Sequence, residues 1–340
     1  MVVRVGFLGT GLIAHHHARS LASAGDRVRI VDCFDPDRDR AEGFAAAYGG
    51  GVATLVDEVI DAADAVFVCT WTAAHPPLVK AVADAGRAVF CEKPLAVNLA
   101  EVATMVEHVL RSGVINQVGL VLRRSPAFRW VAGTLARSGA EVGPVMSIVF
   151  RDDQYIPNQG LYNSTWRVEA AKAGSGTLLE HSIHDLDLIR WLMGPVQSVS
   201  GRTANFHGHD GIEDLAHVQL NGPSGATAGL TSIWHDLLQR PSQRRVEVFC
   251  RRGYFHIEGD WHGPVSYDIG GRTGSLAGEA LTAAAAELDG ETDNPSVAFI
   301  DAVAAGRPAH PDFSVALEAH RLCDAAYRSA AADGHPIDVD

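Results

Sequence analysis

Apolar residues fall in short unbroken runs through the first third of the chain, and between the runs their spacing turns helical. Val2–Leu8, Val28–Phe34, Ala65–Thr70, Ala88–Cys91 and Asn116–Leu122 read as strands, most of them without polar alternation. A strand that is apolar on both sides is covered on both faces, which marks a parallel sheet. Leu12–Ala24, Arg38–Tyr48, Pro77–Ala85 and Leu99–Arg111 carry the helical spacing. Strand and helix alternating at this interval predict βαβ units and a doubly wound α/β sheet.

Beyond residue 123 the pattern changes. A helix at Ala127–Ser138 precedes strands at Val145–Phe150, Val196–Thr203, Ala216–Leu220, Ala226–Trp234 and Arg245–Cys250. Several follow one another across turn signals alone: Gly222-Pro223-Ser224-Gly225, Arg251-Arg252-Gly253 and Gly270-Gly271. One helix, about Thr177–Met193, interrupts them and stops at Gly194-Pro195. Leu281–Leu288 is Ala-rich and helical, and the tail Ser296–Ala332 is helical with breaks at Arg307-Pro308 and Pro311. The expectation is a doubly wound domain over 1–123 and, over 124–340, an α+β domain with an open, mostly antiparallel sheet. The second face of that sheet needs cover, so a homodimer or homotetramer is expected.

Composition narrows the function classes. A length of 340 residues suits two cores. The formal net charge of -13, with no basic stripe, argues against a nucleic-acid partner. No stretch approaches the roughly 20 apolar residues of a membrane helix, so no membrane partner is expected. The start, Met1-Val-Val-Arg-Val-Gly-Phe-Leu-Gly, lacks a basic leader and a small-residue cleavage site, and reads as a buried strand. Cys33, Cys69, Cys91, Cys250 and Cys323 are odd in number and form no C-x-x-C pair, which suits a reducing compartment and the cytoplasm.

Gly9-Thr10-Gly11-Leu12-Ile13-Ala14 follows the first strand and opens the first helix. This G-x-G-x-x-A is a variant of the Rossmann dinucleotide fingerprint. Gly9 makes the tight turn, Gly11 lets the backbone approach a pyrophosphate, and the helix N-terminus offers N–H donors. Leu12 and Ile13 belong to the same cofactor loop. Asp35, ending the second strand, is placed to bind ribose hydroxyls and repel a 2′-phosphate, with Asp32 as its rival. That favours NAD, while Arg38 and Arg40 leave NADP open. Thr70 ends a further strand at the carboxyl edge, so Thr70, Trp71 and His75 are cofactor candidates.

Two more stretches are specific. Glu92-Lys93-Pro94 follows the short strand ending at Cys91, and Gly176-Thr-Leu-Leu-Glu180-His-Ser-Ile-His184-Asp-Leu-Asp187-Leu-Ile-Arg-Trp191 lies in the second part. With the fingerprint and Trp166-Arg167, in this order, the chain resembles the glucose–fructose oxidoreductase/inositol dehydrogenase/MocA family along nearly its whole length. The resemblance implies a Rossmann domain, an open-faced C-terminal sheet and a site between them. It further implies oxidation of a secondary alcohol of a sugar, cyclitol or related polyol, or the reverse. Glu92 and Lys93 match the family's motif, and Glu180 with His184 match its usual Asp-x-x-x-His pair. Three departures stand out: Glu180 for Asp, Trp71-Thr72 for Pro-Asn, and Val121 for a polar residue after Gly119. Substrate identity is therefore not carried over.

Hydride loss from a carbinol carbon requires loss of the hydroxyl proton, so a base must sit within hydrogen-bond reach. His184 is the natural base. Glu180, four residues earlier, shares its helical face and could orient the ring or bind a neighbouring hydroxyl. Lys93 could hold the reacting oxygen and its developing charge. Which of Lys93 and His184 takes the proton first stays open. Gln154, Tyr155, Trp166 and Arg167 are substrate-pocket candidates, and Trp234-His235 closes another strand. His181 and Asp185 form a second i,i+4 pair read as structural, and Asp187 as a packing or supporting acid. His15-His16-His17 point about 100° apart on a helix and cannot share one ion, with His17 expected to pack under the cofactor loop. No metal is implied. Two rival readings remain: a redox-neutral NAD-using glycosidase or lyase of this fold, and a non-catalytic dinucleotide sensor.

Overall fold

The computed structural model describes residues 2–339; Met1 and Asp340, the outer ends of the two expected domain ranges, lie outside the described residues. The chain divides into two compact units. One holds the residues up to Leu120 together with Asn294–Leu317, the other Val121–Asp293 together with the chain from Glu318 onward.

The first unit runs β1 (Val3–Leu8), α1 (Leu12–Leu21), β2 (Val28–Phe34), α2 (Arg38–Tyr48), β3 (Gly51–Val52), α3 (Val56–Ala62), β4 (Ala65–Val68), α4 (His75–Asp84), β5 (Ala88–Cys91), α5 (Leu99–Ser112) and β6 (Asn116–Val118). Its six strands are parallel, in the order β3-β2-β1-β4-β5-β6. The order reverses between β1 and β4, the switch point where such sheets bind ligands. The apolar runs are buried as their pattern requires: β4 and β5 have no exposed residue. Phe7, Phe67 and Phe90 stack across β1, β4 and β5 with ring centroids 5.1 and 4.8 Å apart. Helices begin at side-chain caps where the sequence supplies them: Asp37 accepts from the Arg40 N–H and Asn98 from the Glu101 N–H. The apolar run to Leu122 is not one strand. β6 ends at Val118, and the Leu120 N–H turns back to the Val118 carbonyl at 2.8 Å. Apolar residues buried in a turn look, in sequence, like a strand continued.

The second unit contains α6 (Pro126–Arg137), α7 (Gly139–Val142), β7 (Val145–Tyr155), α8 (Ala170–Ala173), a π-helical turn Thr177–His181, α9 (Ile183–Met193), β8 (Ser198–Ala204), β9 (Leu215–Asn221), β10 (Thr227–His235), β11 (Gln243–Cys250), β12 (Gly253–Ile257), β13 (Val265–Ile269), β14 (Arg272–Leu276) and α10 (Gly278–Asp289). The chain then passes through α11 (Pro295–Ala305) in the first unit, and ends with α12 (Phe313–Ala331) and β15 (Ile337–Asp338). Nine strands pair in the order β14-β13-β12-β11-β7-β10-β9-β8-β15, antiparallel except for β7 beside β10. Burial alternates strictly along β10, with Ala228, Leu230, Ser232 and Trp234 inward. The inward face packs on α9. The helix expected over 177–193 is split at Ser182, where the wide turn hands over to α9. β7 runs past its apolar part to Tyr155, because Asp152, Asp153 and Gln154 keep pairing with β10 while buried. Among the described residues no helix is long and apolar enough to cross a membrane.

Candidate active site

In the first unit the fingerprint loop joins β1 to α1. Gly9 takes φ +87°, and a Cβ there would stand 2.7 Å from the Cys69 carbonyl oxygen. The bend is therefore closed to larger residues. Gly11 is different: its φ is -72°, and a Cβ there would meet nothing within 4 Å. The space over Gly11 and the uncapped N-terminus of α1 fit a pyrophosphate, which backbone N–H groups and the helix dipole would hold. Leu12 and Trp71 are exposed apolar side chains at this edge, with Ile13 and Thr70 partly buried. Asp35 braces the loop, accepting from the Thr10 N–H (2.8 Å), the Thr10 hydroxyl (3.1 Å) and the Asp37 N–H (2.9 Å). Arg38 is paired with Glu42 and Arg40 with Asp37, both on the surface.

The His15–His17 run points three ways. His15 meets Tyr48, His16 is exposed, and His17 is fully buried. The His17 ring spans the Ser296 hydroxyl (2.9 Å) and the Glu92 carboxylate (2.8 Å). Glu92 lies against Gly119, where a Cβ would be 2.7 Å from its carboxylate, and it accepts the Lys93 N–H at 3.2 Å. Burial opposes its charge, but the His17 hydrogen bond and the charges of His17 and Lys93 outweigh that and hold the carboxyl below its ordinary range. Glu92 is thus a buried strut beneath the half-buried Lys93. His75 is also internal: its ring faces the carbonyls of Pro94 (2.8 Å) and Thr70 (3.1 Å). Burial lowers its pKa and so favours the neutral ring, whose single N–H can go to only one of these two carbonyls. Its ring is packed between the residue that follows β4 and the lysine loop.

In the second unit Glu180 and His184 flank the step from the π turn to α9 and are 2% and 8% exposed. Single π turns of this kind are frequent at functional sites. Arg167 Nε lies 3.1 Å from Glu180 Oε1, and its guanidinium sits over the rings of Trp166 and Tyr162 at 5.2 and 5.6 Å. Tyr162 in turn packs on Tyr155, whose hydroxyl accepts the Leu161 N–H at 3.1 Å. Glu180, Trp166, Arg167 and Tyr155 therefore belong to one connected group. Gln154 is 2% exposed on β7.

The sequence reading did not single out the residues that hold this turn. Glu213 accepts from the N–H groups of Gly176 (2.8 Å) and Leu178 (2.9 Å) and from the Tyr327 hydroxyl (2.9 Å). Arg244 on β11 reaches Asp185 and lies 3.2 Å from the His181 ring. One signal was available: Arg244 shares strand parity with the inward Val246 and Val248, and a cation on an apolar face needs a buried partner. The signal for Glu213 is absent, because its partners are backbone groups distant in sequence.

Residues 3–120 match the model of an oxidoreductase family with an NAD-binding Rossmann fold, and residues 134–256 match the GFO/IDH/MocA C-terminal domain. An inositol 2-dehydrogenase of Rhizobium meliloti (strain 1021) is 31% identical over 97% of this chain and 98% of its own length. A scyllo-inositol 2-dehydrogenase (NAD(+)) of Bacillus subtilis (strain 168) is 34% identical over 75% of this chain and 73% of its own. A levoglucosan dehydrogenase solved in complex with NADH has a TM-score of 0.88 over 100% of both chains at 21% identity, a likeness of fold.

Proposed function

We propose that this chain, which belongs to the GFO/IDH/MocA family of NAD-binding oxidoreductases, moves a hydride between a secondary alcohol of a sugar, cyclitol or related polyol and nicotinamide. The observation that carries the reading is Glu180: a carboxylate 2% exposed, tethered by Arg167 and one helical turn before His184. Relatives matched over most of their length are named inositol dehydrogenases, which supports a cyclitol as the first substrate to try.

NAD, when bound, supplies the hydride acceptor. Gly9, Gly11, Leu12 and Ile13 would hold its pyrophosphate, with Thr70 and Trp71 at the same strand edge. The Asp35 charge at the end of β2 favours NAD over NADP. Arg38 and Arg40, the nearest cations in sequence, are each engaged by an acid. His184 takes the hydroxyl proton as the carbinol C–H bond breaks, leaving a carbonyl. Lys93 holds the same oxygen and stabilises its developing charge. Glu180 and Arg167 form a polar wall that orients the remaining hydroxyls, with Gln154, Tyr155 and Trp166 beside them.

On the outer face of the large sheet, Val149 and Phe249 are 50% and 40% exposed. A second copy covering that face would give a homodimer or homotetramer. Five buried free cysteines suit a reducing compartment, and the cytoplasm is the proposed location.

The test is formation of NADH or NADPH over a panel of inositols, sugars and glycosides by wild type, Lys93→Ala and His184→Ala. Reduced cofactor formed with a cyclitol or sugar, and lost in both variants, is the expected outcome. Glycoside cleavage with no net reduced cofactor would replace this reading by redox-neutral chemistry.

A further inference from the structure

His181 and Asp185 each follow one of the two proposed site residues, Glu180 and His184, by a single position. Consecutive residues in a helical turn point about 100° apart, so the pair 181/185 occupies the face adjoining the pair 180/184. Both members of that second pair end in one buried cluster. Arg244 Nε donates to Asp185 Oδ1 at 2.8 Å, Nη1 to Asp260 Oδ2 at 2.8 Å, and Nη2 lies 2.9 Å from Asp152 Oδ2. The His181 Nε2 lies 2.8 Å from Asp152 Oδ2 and 3.2 Å from Arg244 Nη2. Below, the Ser182 hydroxyl reaches Ser232 at 2.6 Å, and Ser232 meets Thr177 at 2.7 Å.

The charges do not balance. One guanidinium, with the His181 ring a second cation only when protonated, faces two carboxylates with no exposed surface, Asp152 and Asp185, and a third, Asp260, whose side chain is 37% exposed. Each buried carboxyl also keeps one oxygen, Asp152 Oδ1 and Asp185 Oδ2, that no donor among the described residues reaches. The two carboxyls converge on the same guanidinium, Asp152 at 2.9 Å and Asp185 at 2.8 Å from Arg244. Two buried anions sharing one guanidinium disfavour each other's charge, and a proton on one relieves the repulsion and makes a donor of an unsatisfied oxygen.

We propose that Asp152 and Asp185 hold one proton between them, and that their cluster with Arg244 and His181 is the anchor that sets Glu180 and His184 for the reaction. Burial raises both carboxyls, and Asp185 with its second like charge further. Burial first, and the Asp152 charge next, push it up to about 8, against the pull of Arg244. The groups around it are accounted for element by element. β7 presents Asp152, β11 presents Arg244, the π turn presents His181, and Asp260 comes from the loop after β12. Of the cations on the segments packed against α9, Arg123 is held by Asp187, Arg124 by Glu291, Arg129 by Asp289 and Arg151 by Asp153, while Arg137 donates to the Leu288 carbonyl and the His235 ring faces Asp153. The four anchor residues are positioning residues; none is assigned contact with substrate.

Asparagine at 185 can do what a protonated acid does, accepting from Arg244 and donating to Asp152, but it cannot titrate. The native pKa of Asp185 is raised above its unfolded value near 3.8, so the stability it confers is full below that value and is lost as pH rises to about 8. Relative to Asp185→Asn, the unfolding constant of the wild type should therefore climb by up to about tenfold per pH unit through that window, then level off. A wild-type-to-variant ratio that does not change with pH would overturn the shared proton.

The anchoring role rests on the function proposed above and is read separately. Asp185→Ala should lower kcat by about tenfold or more without changing NAD affinity, and Asp185→Asn should restore it. His181→Ala, at a side chain 14% exposed, gives the same reading should Asp185→Ala not fold. Unchanged kcat in His181→Ala, or no rescue by Asp185→Asn, would remove the anchor. Should no substrate be turned over at all, the function fails, while the stability comparison still decides the proton.

Discussion

Two glycines of one loop separate folding from binding at the scale of single residues. Gly9 is confined by a positive φ and by the Cys69 carbonyl 2.7 Å from its would-be Cβ. Gly9→Ala should therefore cost about 2 kcal/mol of stability, seen as a lower denaturant midpoint before any ligand is added. Gly11 has an ordinary φ and open space beside it. Gly11→Val should leave the midpoint nearly unchanged and weaken NAD at least about tenfold, or 1.4 kcal/mol, in a direct binding titration. Equal losses of stability in the two variants would mean that the loop is only a turn. His75 and Glu92 teach a related lesson. Their residue types fit a ligand site, yet both side chains are buried struts that fix neighbouring backbone.

At the scale of elements, the turn Thr177–His181 is held from below by a carboxylate. Glu213 takes two backbone N–H groups and the Tyr327 hydroxyl, and burial pushes it above its ordinary range, the bonds from the Leu178 and Gly176 N–H groups opposing that only in part. Removing it strands buried donors. Glu213→Ala should cost about 3 kcal/mol and lower kcat more than it raises KM, since it loosens the turn carrying Glu180 and touches no substrate. Glu213→Gln, which keeps an acceptor oxygen, should recover most of the stability. Gly176 belongs to the same device: a Cβ there would fall 1.8 Å from the Glu213 carbonyl oxygen, so no larger residue fits unless the backbone moves.

For the whole molecule, pH acts through buried groups more than through the net charge. His320 is fully buried in α12, and burial pushes it down to about 3. A native pKa below the unfolded 6.5 gives stability that is complete above pH 6.5 and lost as pH falls toward 3. Between pH 6.5 and 5 the wild type should lose about 2 kcal/mol more than His320→Gln, measured by urea unfolding at the two values. The slope has the opposite sign to that expected for Asp185, so the two contributions can be told apart. The outer sheet face belongs to this scale too. Val149→Lys should shift the hydrodynamic mass toward a single chain; a wild-type mass already equal to one chain would end the assembly proposal.

The sequence by itself determined the parts whose information is local. Unbroken apolar runs marked β4 and β5, because a strand covered on both faces needs no polar side. Gly9 and Gly11 marked the dinucleotide loop, Gly9 because the backbone there admits little else and Gly11 because a pyrophosphate would need the space beside it. Lys93, Glu180 and His184 were legible as types at set spacings. Only the tertiary structure decided how those residues are held. The short β3, the strands β12–β14 and the helix α3 carry too few residues for a period to show. Asn294–Leu317 joins the first unit through contacts such as the Val118 N–H to the Pro311 carbonyl, which no local pattern encodes. Arg244 meets Asp185 and Asp152 across gaps of 59 and 92 residues. Electrostatic pairing depends on distance in space, and the chain alone does not supply that distance.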